Sequence, residues 1–215
     1  MSWSSGKDSA LALHRARTVL GLDVSHLLVS VNADADRVSM HAVRSELLEL
    51  QAARVGLPVH RVELPARCPN EVYESAMATA VAAARADGAT RMVFGDLFLT
   101  DVREYREANL EGTGLAPTFP LWGEPTDRLA REMLDAGIRA VITCVDPAVV
   151  PSGLVGRAFD AELLAELPDH VDPCGERGEF HTFVWDAPGF SSPIPIVAGD
   201  VVERDGFVFC DVLPA

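Results

Sequence analysis

The sequence predicts an α/β fold. A parallel sheet with helices on both faces occupies residues 1–124, and a smaller C-terminal α+β subdomain follows over 125–215. Three observations lead there. Short apolar, β-branched runs alternate with helix-period segments through the first two thirds of the chain, which specifies βαβ crossovers. After about Leu167 the pattern changes to strands and turns. Polar clusters at Ser4–Ser9, Asn32–His41 and Gly95–Asp96 fall at predicted strand ends, where open α/β sheets bind ligands.

The elements follow in order. Ser2–Ser4 supplies a first strand, shorter than the usual length of about five or six residues, so either the strand is short or the chain begins inside it. Ala10–Leu20 is Ala/Leu-rich and helical. Ser25–Val31 is a strand. Ala42–Val55 carries Val43, Leu47, Leu50 and Arg54 at helical spacing, and Gly56-Leu57-Pro58 stops it. Val59–Leu64 is the next strand. Asn70 caps an Ala-rich helix with one buried side that runs through Asp87 and closes at Gly88. Met92–Phe94 is a third crossover strand. Thr126 caps a helix to Ala136, and Ala140–Val145 is a fourth strand of the parallel series. A soft boundary lies near Gly123–Pro125. Asp160 caps a short helix to Leu167, and Phe180–Trp185 is a strand. Pro195–Val202 and Phe207–Val212 flank Arg204-Asp205-Gly206, a hairpin signal.

Composition narrows the function. At 48% apolar and 23% charged, 215 residues bury a sizeable core. No apolar run is long enough to span a bilayer, and the polar first residues carry no signal peptide, so no membrane partner is expected. The four cysteines lack CxxC spacing, which argues against a zinc site and against a secreted disulfide scaffold; a cytoplasmic location is expected. The net charge of −14 repels a phosphate backbone, so nucleic acid is not an expected partner. A homo-oligomer is compatible with this composition.

The opening residues, Met1-Ser-Trp-Ser-Ser-Gly-Lys-Asp-Ser9, run directly into a helix. A helix N-terminus offers unpaired N–H groups and a favourable dipole to a polyphosphate. Lys7 can neutralise phosphate charge, Asp8 can hold Mg2+ or cap the helix, and Ser4 and Ser9 can donate hydroxyl hydrogen bonds. The commoner P-loop is excluded because Asp8 follows Lys7 where that motif has Ser or Thr. The plainer reading is an N-cap, with Asp8 or Ser9 starting the helix. Location at a strand end beside two other polar clusters favours the phosphate.

A second motif lies in Val171–Phe190. Gly175 and Gly178 are interleaved with Glu176 and Glu179, and His181-Thr182 enters a strand. Two carboxylates followed by an imidazole can bind ammonium, position a metal or act as a general base. The plainer reading is a surface turn and an edge-strand histidine.

The Ser-x-Gly-Lys-Asp-Ser pattern resembles the pyrophosphate loop of the N-type ATP pyrophosphatases. MSWSSGKDSALAL, DRVSMHAVR, FGDLFLTDVREYRE, FPLW and DPCGERGEFHTF follow, in order, the pattern of the diphthine–ammonia ligase family, from Ser2 to about Phe190. The resemblance implies a HUP-type Rossmann-like domain that binds ATP, joined to a smaller acceptor-binding domain. It implies Mg2+, ammonium and a carboxylate acceptor, diphthine on elongation factor 2 in the family's characterised reaction, with AMP and pyrophosphate released. Ser4, Gly6, Lys7, Asp8 and Ser9 match the phosphate loop, and Asp96 matches the acid after the third crossover strand. Cys174, Gly175, Glu176, Gly178, Glu179, His181 and Thr182 match the second signature.

The expected ATP-binding set is Ser4, Ser5, Gly6, Lys7, Asp8, Ser9, Asn32 and Asp96, with Asp8 toward Mg2+. The acceptor set is Arg106, Gly175, Glu176, Gly178, Glu179, His181 and Thr182, and the catalytic set is Lys7, Asp8, Glu176 and Glu179. The family loop usually has Gly-Gly before Lys, whereas Ser5 stands here; a left-handed backbone at that position costs a non-glycine residue about 1 kcal/mol. Arg103 and Arg106 share a helical face and either meet an anion or pair with neighbouring acids. His41 either touches the nucleotide or starts a helix, and Asp34 and Asp36 are loop residues. No glutaminase domain is visible, so nitrogen arrives free or from another protein. Two alternatives share the fold: sulfur transfer to tRNA through Cys144 or Cys174, and a non-catalytic ATP-binding regulatory module.

Overall fold

The structure, a computed structural model, describes residues 1–33, 37–38, 43–65 and 67–215. Asp34, Asp36, His41 and the predicted helix start at Ala42 lie outside the described residues.

The elements are α1 (Lys7–Thr18), β1 (Leu27–Asn32), β2 (Arg37–Val38), α2 (Ser45–Val55), β3 (Val59–Leu64), α3 (Asn70–Ala86), β4 (Arg91–Val93), α4 (Thr100–Leu110), β5 (Ala116–Thr118), α5 (Thr126–Asp135), β6 (Arg139–Val145), α6 (Ala161–Glu166), β7 (Phe180–Asp186), β8 (Ile196–Arg204) and β9 (Phe207–Pro214). β1 pairs in parallel with β3, and β4 in parallel with β5. The chain start joins these pairs. Ser2 bridges Leu28 of β1 in parallel, and its amide donates to the Val93 carbonyl of β4 at 2.9 Å. The order β3–β1–(1–3)–β4–β5 reverses direction at the N-terminal segment, the topological switch point where such sheets bind ligands. The predicted strand Ser2–Ser4 is reduced to a single bridge at Ser2, held by hydrogen bonds to β1 on one side and β4 on the other. β5 escaped the sequence pattern because Pro117 lowers strand propensity, which an edge position tolerates.

Ala140–Val145 is a strand, but not of the parallel sheet. It forms β6 of a second, antiparallel sheet in the order β7–β6–β9–β8. Its burial and position after a helix imitate a crossover strand, and its partners come from residues far downstream. Asp205 (φ 53°) and Gly206 (φ 84°) make the predicted hairpin turn, with positive φ at both central positions.

The helix ends follow local chemistry. Gly56, with φ 73°, terminates α2, and the Asp160 carboxylate caps α6 by accepting the Leu163 amide at 2.9 Å. Asn70 and Thr126 are instead first residues of their helices, behind Pro69 and Pro125, and neither helix has a side-chain cap from its N-cap residue. α1 starts at Lys7 behind Gly6, so Asp8 and Ser9 lie inside the helix and the capping reading fails. Along α3 only Val81 is fully buried, because alanines leave little to pack.

One contiguous core joins both sheets, running from Trp3 and Leu11 through Leu47 and Leu129 to Phe183 and Val212. A smaller cluster of Val81, Met92, Phe94, Leu110 and Leu115 lies under α3 and α4. Among the described residues no helix is long and apolar enough to cross a membrane.

Candidate active site

The phosphate loop lies between the first strand and α1. Ser5 has φ 69° and is fully buried, and its hydroxyl finds no hydrogen-bond partner among the described residues. Ser4 and Ser9 brace the loop: their hydroxyls lie 3.2 Å apart, Ser9 Oγ donates to the Gly6 carbonyl at 2.8 Å, and Ser4 Oγ accepts the Gly6 amide at 3.3 Å. Gly95, at the end of β4, backs directly onto this turn. A Cβ there would stand 3.1 Å from Asp8 C and Ser9 N, so glycine lets the sheet approach the helix start.

The Lys7 side chain points inward. Its ammonium bonds the carbonyl of Cys174 and the Asp8 carboxylate, at 3.1 and 3.0 Å for the two oxygens. It lies 5.2 Å from the ring centre of Phe180 and 5.5 Å from that of Phe159. Burial pulls its pKa down, but the charge and hydrogen bonds of Asp8 outweigh it, so Lys7 is raised and stays protonated.

The second motif closes over this ammonium. Asp172, itself buried, accepts the amides of Cys174 (3.1 Å) and Glu176 (3.2 Å) and so shapes the turn. Gly175 has φ 67°, and a Cβ on it would meet the Phe180 carbonyl at 2.8 Å. Glu176 reaches back to the segment between β4 and α4, where its Oε1 accepts the amides of Leu97 (2.8 Å) and Phe98 (3.4 Å). Burial raises its pKa to about 7; the Leu97 bond opposes this, and the charges of Asp8 and Asp96 add to it. Glu179 is turned inward and accepts the amides of Asp172 (3.2 Å) and Arg177 (2.8 Å), so it braces the loop. Gly178, with φ 86°, makes the turn between them.

β7 carries the motif into the fold. Thr182 Oγ1 accepts the Lys7 amide at 3.2 Å, the first N–H of α1. Phe180 and Thr182 both approach Lys7, and His181 between them is half-buried and pairs with Cys144 of β6. Of the expected acceptor residues, Thr182 contacts the phosphate loop directly through the Lys7 amide, and Glu176 reaches the segment after β4.

Asp96 lies beyond Gly95 and pairs with Arg106 of α4, Nε to Oδ2 at 2.7 Å, off hydrogen-bond alignment. The Arg106 guanidinium stacks on Phe94 at 4.7 Å, and Arg103 packs over Phe119 and Trp122 while pairing with Glu107 at 2.7 Å. Both arginines thus hold partners within the fold. Asn32 ends β1, half-buried. Asp8, Asp96 and Glu176 supply hard carboxylate oxygens around one strand end, a donor set that suits Mg2+.

Sequence reasoning missed the residues that hold the halves together. Gln51, fully buried in α2, accepts Trp3 Nε1 at 3.0 Å and donates to the carbonyls of Ser5 (3.1 Å) and Val184 (2.6 Å). Its signal was a lone amide among Leu47, Leu48, Ala52 and Val55 on the buried face. Arg15 of α1 pairs with Glu124 and with Glu132 of α5. The two candidate nucleophilic thiols are buried. Burial pushes Cys144 up to about 12 and raises Cys174 as well, and Cys174 Sγ contacts the Thr126 carbonyl.

The chain matches the family profile of the diphthamide synthase N-terminal domain over residues 1–116 and that of the diphthamide synthase C-terminal domain over 125–211. It is similar to the diphthine–ammonia ligase of Homo sapiens, 31% identical over 122 residues, covering 53% of this chain and 45% of the human protein. The Bos taurus diphthine–ammonia ligase is 30% identical over the same length. That of Schizosaccharomyces pombe is 29% identical over 106 residues, covering 45% of this chain and 17% of the yeast protein. The chain thus spans less than half the length of the curated relatives it matches.

Proposed function

Because the chain belongs to the diphthamide synthase family, we propose that it is an ATP-dependent ligase that turns a carboxylate into an amide with ammonium, through an acyl-adenylate and with release of AMP and pyrophosphate. One observation carries the reading: Lys7, at the head of the helix that follows the phosphate-loop turn, is bonded to the Cys174 carbonyl of the second motif. A phosphate-neutralising cation and a carboxylate-bearing loop thereby share one ammonium at the sheet's switch point.

In this reading ATP lies along Ser4–Ser9, with Lys7 and the first-turn amides of α1 stabilising the departing pyrophosphate. Lys7 exchanges the Cys174 carbonyl for phosphate oxygen as the nucleotide enters. Asp8 and Asp96 hold Mg2+, which supplies charge neutralisation at the phosphates. Glu176, poised near neutrality, takes the proton from ammonium so that ammonia can attack the adenylate. Glu179 and Asp172 keep that loop in shape. The acceptor to try first is diphthine on elongation factor 2, and small carboxylates come next. Four free thiols support a cytoplasmic setting.

The test is incubation of the protein with α-labelled ATP, Mg2+, ammonium and each acceptor, with AMP, pyrophosphate and amide measured together. Wild type should release AMP with amide. Lys7→Met, which retains the buried volume under Phe159 and Phe180, should lower the rate by roughly 10²–10³-fold. Intact ATP held without AMP release, whichever acceptor is present, would overturn the ligase reading in favour of a nucleotide-binding module.

A further inference from the structure

At the edge of the parallel sheet opposite the phosphate loop, where β1 and β3 begin, three ligating side chains meet from three separate segments. His26 immediately precedes β1, His60 is the second residue of β3, and Asp87 closes α3 as its C-cap. One nitrogen from each imidazole and one carboxylate oxygen all lie within 4.8 Å of one another. The rings meet edge-on, centroids 5.1 Å apart at 62°. His60 Nε2 stands 3.8 Å from Asp87 Oδ2, too far for a hydrogen bond, so the trio is not a satisfied polar network.

We propose that His26, His60 and Asp87 form a binding site for a divalent transition metal of the Zn2+ class. Two imidazoles and a carboxylate are the ligand chemistry of such ions, not of Mg2+ or Ca2+. Ser25 Oγ lies 3.0 Å from His26 Nδ1, and when that nitrogen donates to it, Nε2 keeps its lone pair for the metal. Bonds of about 2.0–2.1 Å to a tetrahedral ion bring ligand atoms closer together than they stand here, and rotation of these half-buried or exposed side chains closes the gap. The three residues border a cavity of about 450 Å3 that is also lined by Leu28, Val81 and Met92, so the fourth coordination position is open to water. Asp87 stands at the C-terminal end of α3, where the helix dipole favours a cation, and the chain's net charge of −14 adds to that field.

The site lies outside the machinery of the proposed ligation, and its consequence is mechanical. α3 has one fully buried residue, Val81, and a metal shared by β1, β3 and α3 would pin the C-terminal end of this thinly packed helix to the sheet.

The experiment is a titration of the chelator-stripped full chain with ZnCl2 by calorimetry and with Co2+ by visible absorption, together with unfolding midpoints with and without metal. One equivalent should bind at micromolar concentration or below, raise the midpoint, and give the absorption of a low-coordinate cobalt site. His26→Ala, His60→Ala and Asp87→Asn should each weaken binding by about tenfold or more without lowering the metal-free midpoint, and His60→Gln serves if the alanine variant loses stability. No binding by wild type would overturn the proposal. So would undiminished binding by the His26→Ala/His60→Ala double variant, which would put the ion on other residues.

Discussion

The carbonyl of Ser5 accepts the amide of Val184 at 2.9 Å, so a strand of the antiparallel sheet holds the left-handed residue of the phosphate loop in place. The same carbonyl takes a second hydrogen bond from Gln51. Backbone strain at Ser5 is thus sustained by tertiary contacts, and the second sheet is a structural part of the proposed nucleotide site.

Ser5→Gly should stabilise the protein by about 1 kcal/mol. The change removes the left-handed penalty and an unpaired buried hydroxyl, partly offset by the greater backbone entropy that glycine loses on folding. ATP binding should tighten as well, because the loop no longer carries a Cβ beside the phosphates. Urea unfolding and calorimetric titration measure both. A destabilised glycine variant with weaker ATP binding would mean that the hydroxyl itself contributes.

Gln51→Leu should destabilise by about 2–4 kcal/mol, since it strands the buried Trp3 Nε1 and removes donors from two carbonyls at nearly constant volume. It should also loosen the phosphate loop, which a fall in ATP affinity would report. Stability within about 0.5 kcal/mol of wild type would show that water replaces the amide.

Most of the parallel sheet was legible in the sequence because β1 and β3 are short apolar, β-branched runs and the helix between them ends at Gly56. The turn into α1 was legible because Gly6, Lys7, Asp8 and Ser9 are local to one stretch. Apart from β5, whose Pro117 hid it, what escaped was non-local. β6 finds its neighbours in β7 and β9, strands that lie up to about 70 residues downstream, and no spacing rule encodes that pairing. Gln51 and Asp172 act through backbone groups of remote segments, which leave no pattern in either partner.

Asp211 of β9 anchors Arg37 (2.9 Å) and Arg44 (3.0 Å). Burial raises its pKa, but the two arginines more than offset this and hold it at about 2. A depressed acid contributes stability above its unfolded pKa of 3.8, and that stability is lost as the pH falls through about 2. Discounted for the exposure of Arg44, the contribution is about 1–2 kcal/mol. Asp211→Asn should therefore be less stable than wild type by that amount near neutrality, with the gap closing in strong acid. Unfolding curves for the pair across the acid range check it, and a gap independent of pH would remove the ion pairs as its source.

Glu176→Gln tests the chemistry and the electrostatics together. Glutamine keeps an oxygen to accept the Leu97 and Phe98 amides, so the loop should retain its shape and ATP affinity should change little. Amide formation should fall by roughly 10²–10⁴-fold, the usual range for losing a positioned base. In wild type the rate should rise as Glu176 ionises, because only the carboxylate form accepts a proton, and the variant's residual rate should follow only the supply of free ammonia. Stability moves the other way. An acid whose folded pKa lies above its unfolded value of 4.5 contributes stability below that value and loses it as the pH rises through about 7. The unliganded variant, which never carries the charge, should therefore gain on wild type between those limits, by about 1–2 kcal/mol after allowance for partial solvent access. Glu179→Gln should behave differently, because that carboxylate holds the amides of Asp172 and Arg177 and losing its charge costs loop stability at neutral pH. Amide formation by Glu176→Gln within a few-fold of wild type would move the base elsewhere. A stability gap that does not vary with pH would mean that Glu176 is already ionised in the free protein.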